Sequence, residues 1–114
     1  MAKLSNQTLT TIFDLQRRLV ELIDQAKATE FDIFEQFGEN DATLPELEQM
    51  LRSVERLKMP YSRLHTLALR IAEYQPIAPD AMLNLLDQTI EQTEALISAV
   101  QASISETKKN WNLP

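Results

Sequence analysis

LPELEQMLRSVERLKMPYSRLHTLALRIAEYQ, residues 44–75, is the stretch on which the fold turns. Its residues Leu47, Met50, Val54, Leu57, Tyr61, Leu64, Ala68 and Ile71 recur at alternating spacings of three and four. That is the heptad pattern of a coiled-coil-like helix with one buried seam. The phase runs straight across Pro60. A loop joining two independent helices has no reason to preserve it, and a long buried seam offsets the roughly 3 kcal/mol that an interior proline costs. The spacing therefore predicts one helix from Leu44 to about Gln75, kinked at Pro60, with two short helices broken at Met59-Pro60 as the alternative. Thr43-Leu-Pro-Glu46 at its start has the form of a capping box, in which the Thr43 hydroxyl and the Glu46 carboxylate each satisfy an orphan amide. Pro45 fits the first turn, where its missing N–H has no helical partner.

Upstream, from about Ser5 to Phe37, the chain carries two overlapping apolar seams. One is Ile12, Leu15, Leu19, Leu22, Ala26 and Ile33; the other, rotated by one residue, is Leu9, Phe13, Val20, Ile23, Phe34 and Phe37. Together they make a face wider than one partner helix needs, so this helix is expected to touch two neighbours, or one neighbour and another molecule. Phe34 and Phe37 are expected in the core. Phe31 fits neither seam cleanly and is expected either to cap the bundle end or to stand exposed among Glu30, Asp32 and Glu35, where an aromatic ringed by acids would suit a binding hot spot. Gly38 is expected to end the helix as a left-handed cap.

Downstream, Gln75-Pro-Ile-Ala-Pro79 is a stiff connector, and Pro79 and Asp80 suit a first helical turn. Leu83, Leu86, Ile90, Thr93, Ile97, Val100 and Ile104 form the seam of a last helix, residues 79–109. Lys108 and Lys109 lie at its C-terminus, and residues 110–114 form a tail. Each segment of about 30 residues spans about 45 Å. Equal lengths and short connectors predict an all-α, single-domain, up-down-up antiparallel bundle of three long helices, or of four if Pro60 breaks the middle one.

Composition narrows the function classes. A single Gly in 114 residues disfavours all-β folds and phosphate-cradling loops, which need glycine at primed turns and close backbone approaches. With no Cys and one His, disulfides, thiolate sites and nucleophilic dyads lack their residues. Glu91 and Glu94 lie three apart, as surface carboxylates on helices often do, so no metal and no cofactor is expected. The chain is read as non-enzymatic. A net charge of −6 repels nucleic acid and anionic membrane on average. No apolar run approaches the ~20 residues of a membrane span, and the start lacks the form of a signal peptide. The expectation is a cytoplasmic protein.

Charge is segregated along the chain. Between Ile71 and Thr107 there is no Lys or Arg, whereas Arg56, Arg63 and Arg70 recur every seven residues on the middle helix. Acidic and basic helices are expected to pair along their flanks; alternatively, the arginine stripe meets an acidic partner. Ala95, Ala99 and Ala102 give the last helix a small-residue face suited to a solvent side or to self-packing. Trp111, in the tail, either folds back on the bundle end or inserts into a partner.

The leading expectation is an adaptor or regulatory subunit that contacts a protein partner through Phe31, Trp111 and the arginine stripe, with a structural homo-oligomer as one alternative. The other concerns His65, mid-helix and one position off the seam. Leu64-His65-Thr66-Leu67 in a helical protein of this size faintly resembles the histidine-containing phosphotransfer domains. The resemblance covers about four residues and implies a solvent-open phospho-accepting His65 that docks a receiver domain. The positions three and four after the His, usually Lys and Gly in that family, are Ala68 and Leu69 here.

Overall fold

The structure is a computed structural model that describes residues 4–114. Ser5 starts α1 (Asn6–Phe37) by accepting a hydrogen bond from the Thr8 amide at 3.0 Å, which satisfies one of the orphan donors at the helix start. α2 (Leu44–Glu73) and α3 (Asp80–Asn110) follow. The three helices run up, down and up, and each packs on both others in a body 57 Å long and 20 by 17 Å across. No strand occurs among the described residues.

The first seam of α1 is buried throughout, from Ile12 to Ile33. Thr29 fills the gap between Ala26 and Ile33, and its hydroxyl donates to the Gln25 carbonyl at 2.8 Å. A threonine can line a core in this way because its polar atom is satisfied inside its own helix. α3 uses the same device twice, Thr89 donating to Leu85 O at 2.8 Å and Thr93 to Thr89 O at 2.6 Å. No buried side-chain nitrogen or oxygen among the described residues lacks a partner.

α2 is one continuous helix with Pro60 inside it, so the broken-helix alternative does not hold. Met50, Val54, Leu57, Leu64 and Ile71 are buried as the heptad pattern predicts, whereas Leu47 and Ala68 are half-buried and Tyr61 is exposed. Ser53 and Leu67 are buried alongside them. An α-helix drifts by ~20° per heptad against a strict 3.5-residue repeat, and the buried line rotates accordingly.

Three local expectations are corrected. The capping box does not form: Thr43 makes no side-chain cap bond. Its buried hydroxyl instead donates to the Gly38 carbonyl at 2.8 Å and accepts from the Asn40 amide at 3.0 Å. The Glu46 carboxylate accepts from Thr107 of α3 at 3.2 Å. Gly38 has a positive φ of 75° as expected, but its ψ of −172° lies outside the left-handed helical well. The C-terminal residues are an ordered cap: the Leu113 amide reaches Lys108 O at 2.8 Å, the Asn112 amide reaches Lys109 O at 3.2 Å, and Asn112 has φ 54°. This is the Schellman arrangement, with Asn in the left-handed position that glycine usually takes.

Candidate protein-interaction surface

The second seam of α1 is not core. Phe13, Val20, Phe34 and Phe37 are all exposed, and Leu9 and Ile23 are half-buried. The core expectation for Phe34 and Phe37 fails because α2 and α3 both pack along the first seam, which leaves the rotated seam beyond the α1/α2 contact. Phe31, which the sequence left between capping the bundle end and standing exposed, is 61% exposed.

α2 supplies the other half of this surface. Leu44, Leu51 and Leu69 are exposed on it, and the Gln16 side-chain amide of α1 donates to the Tyr61 carbonyl at 3.3 Å where the two helices meet. Phe13, Val20, Phe31, Phe34, Leu44, Leu51, Tyr61 and Leu69 thus form an apolar stripe on the outer α1/α2 face, each between 39% and 62% exposed. The stripe deepens at both ends. Near the α1–α2 turn a groove of about 510 Å³ lies among Phe31, Phe34, Leu44, Leu47 and Leu51, with Lys27, Glu30, Glu39 and Glu48 around it. At the far end a groove of about 400 Å³ is lined by Leu9, Phe13, Ala68, Leu69 and Ala72, with Gln16 and His65 beside them. Exposed apolar patches rimmed by polar side chains, as at each of these two ends, mark interaction sites.

The sequence reading named Phe31 but missed Leu44, Leu51 and Leu69. A signal was present: Leu44 and Leu51 are seven residues apart and begin a second heptad line on α2, beside the buried one.

The arginine stripe is exposed at Arg56, Arg63 and Arg70, and none of the three is in an ion pair among the described residues. Arg63 borders a shallow cleft between α2 and α3 with Met59, Pro60 and Leu96; Arg70 stands near Glu73, Tyr74 and Met82. The expected flank pairing of acidic and basic helices does not occur. Every ion pair among the described residues joins side chains three or four apart on one helix, such as Lys27–Glu30 at 2.8 Å and Lys58–Glu55 at 3.1 Å. The acidic side chains of α3 point to solvent, and the shared apolar seams bring the helices together, with a few neutral or charge-assisted hydrogen bonds such as Gln49–Ser103 and Thr107–Glu46 but no ion pair between them among the described residues. Arg17 hydrogen-bonds Asp14 and Glu21, which raises its pKa; lying at the surface, the cluster adds little to stability.

Trp111 folds back on the bundle end. Its ring lies 5.0 Å from that of Phe37 at 57°, a tilted aromatic pair that closes the end where α1 and α3 meet. Sequence reasoning left this choice open because the partner ring is 74 positions away (111 − 37). The structure therefore separates the proposed contact residues: Phe31 lies in the apolar stripe, the arginines stand elsewhere on α2, and Trp111 is engaged within the chain.

His65 is exposed at the edge of the second groove. Ala95, Ala99 and Ala102 are exposed on α3, while Ser103 accepts from the Gln49 amide at 2.7 Å and helps fix α3 to α2. Glu91 and Glu94 are exposed, and no group of three or more His, Asp or Glu gathers among the described residues. No helix among them is long and apolar enough to cross a membrane. No family model matches the chain, and neither a curated protein nor a solved structure matches it significantly.

Proposed function

We propose that this chain is a non-enzymatic helical-bundle adaptor or regulatory subunit that works by presenting helix faces to other proteins. The observation that carries the reading is the apolar stripe on the outer α1/α2 face. Phe31, Phe34 and Leu51 stand open to solvent there although buried apolar residues were available to complete the core without them. Aromatic side chains ringed by polar groups are the usual make-up of an interface hot spot. The unpaired arginines on α2 supply a second face, where charge sets approach and orientation more than affinity.

The test is retention of native-lysate proteins by immobilised wild type, Phe31→Glu and Arg63→Glu. A protein retained in stoichiometric amount by the wild type and lost from at least one variant is the expected result. Identical recovery on all three contradicts the reading. Both positions are exposed, so neither substitution touches the core.

A second reading, phosphotransfer through His65, draws on the exposed imidazole at a groove edge. It requires acid-labile phosphate on His65 after incubation with a phospho-donating receiver domain. Leu69 stands where that family usually has glycine, which narrows the approach to the ring.

A further inference from the structure

The two ends of the apolar stripe differ in a way that identifies what covers it; this step rests on the reading above that the stripe is an interaction surface. The groove near the α1–α2 turn is bordered by three carboxylates, Glu30, Glu39 and Glu48, and one cation, Lys27, paired with Glu30 at 2.8 Å, which leaves this end acidic by two charges. The groove at the other end has no carboxylate in its lining, and His65 is its only ionisable side chain. Each end also offers what the other accepts: Phe31 and Phe34 project at one, Phe13 and Leu69 at the other, and each pair stands beside an open groove.

We infer that a second copy of this chain covers the stripe, face to face and antiparallel, in a two-fold symmetric dimer. In this arrangement α1 lies against the partner's α1 running the opposite way, and Phe13 of each copy seats in the groove beside the partner's Phe31. The carboxylate-bordered end of one copy then meets the carboxylate-free end of the other. A parallel dimer instead brings both sets of Glu30, Glu39 and Glu48 to one end, a like-charge juxtaposition that disfavours it. Laying one groove over the other puts the dyad between Val20 and Asp24 on the outer face of α1 and near Lys58 on α2. Lys58 and Glu55, paired at 3.1 Å and each more than half exposed, stand close to that axis, so each Lys58 can also reach the partner's Glu55.

The size of the surface agrees. Taking about 200 Å² for each aromatic side chain when free and less for Val20 and the three leucines, the eight stripe residues expose at most roughly 800 Å² at their observed fractions. That is about the area one partner contributes to a standard stable interface. Packing by self-complementary patches is the commonest route to a symmetric dimer.

Sedimentation equilibrium of the full chain at about 100 µM, above the micromolar range to which weak standard-size interfaces extend, is expected to give twice the chain mass. Phe13→Glu is expected to give the single-chain mass with unchanged helical circular dichroism, because Phe13 is 62% exposed and outside the core. Register is read by disulfide trapping, which the absence of native Cys makes clean. In an Arg17→Cys/Lys27→Cys double variant the two sites lie about 15 Å apart on one helix, beyond the roughly 7 Å Cα separation that a disulfide bridges. Oxidation is expected to give a covalent dimer from the double variant and little from either single one. A monomeric wild type, a dimer that survives Phe13→Glu, or equal trapping of single and double variants overturns the inference. A monomer overturns the dimer alone and leaves the stripe to other proteins; in the dimer the stripe is occupied, and the adaptor reading then stands or falls on the lysate comparison at the open arginine face, Arg63→Glu.

Discussion

Leu57→Ala is expected to lower the unfolding free energy by about 2–5 kcal/mol, a large share of what a domain of this size possesses. Leu57 is fully buried among the core side chains of all three helices. The substitution removes the transfer free energy of the deleted atoms and leaves a cavity that the packed seams fill only in part. Its place in α2 raises the cost. Three residues on, Pro60 lacks an N–H, so the helix is short of one backbone bond there and depends on tertiary contact for its continuity. Met59→Ala, two residues away and 67% exposed, is expected to stay within about 0.5 kcal/mol of wild type. Urea denaturation followed by circular dichroism measures both. Similar losses from the two substitutions would mean that the α2 seam does not carry the bundle.

Gly38→Ala is expected to cost about 1–3 kcal/mol through the backbone alone. A Cβ added at Gly38 meets nothing within 4 Å, so no clash contributes. The cost arises because φ 75° with ψ −172° is a region that L side chains rarely enter. Relaxing φ also displaces the Gly38 carbonyl, which accepts the buried Thr43 hydroxyl at 2.8 Å and so ties the end of α1 to the start of α2. Gly38→Asn separates this account from an ordinary left-handed cap. Asn tolerates the left-handed helical well, but this ψ is outside it, so Asn is expected to lose about as much as Ala. Full retention of stability by Gly38→Asn in thermal or urea unfolding would contradict the assigned conformation.

The fold was legible because its signals are local and periodic. Leu47 to Ile71 keep phase across Pro60, and Gly38 and Pro79 punctuate the helices close to where α1 ends and α3 begins. Periodicity did not say which of the two α1 seams the other helices use, since both have helical spacing and differ by one residue of rotation. That choice depends on where α2 and α3 sit, a property of the packed bundle. Periodicity accordingly places Phe34 and Phe37 in the core, whereas Phe34 faces outward and Phe37, partly exposed, packs on Trp111 at the bundle end. The Thr43–Glu46 capping box suggested by the sequence does not form, for a similar reason. Each residue found a partner distant in sequence or in the preceding turn, Glu46 in Thr107 and Thr43 in Gly38, and a four-residue motif carries no information about those competitors. The exposure of Phe31 is open in the sequence for the same reason: it shares the outer face with Phe13, Val20 and Phe34, and only the packing shows that this face is left uncovered. The arginine stripe was seen for its seven-residue spacing, but its lack of ion pairs depends on how the helices are rotated.

The division of α1 into one seam for its own bundle and another for a partner is the central claim, and an alanine scan of α1 read for both stability and association tests it most directly. Ile12, Leu15, Leu19, Leu22 and Ile33 are predicted to lose unfolding free energy, about 1–5 kcal/mol each. Phe13, Val20, Phe31 and Phe34 are predicted to leave the unfolding of the isolated chain nearly unchanged and to weaken its association. Two separate sets of sensitive positions agree with the division. A single set, in which the exposed phenylalanines destabilise the isolated chain as much as Leu19 does, would contradict it.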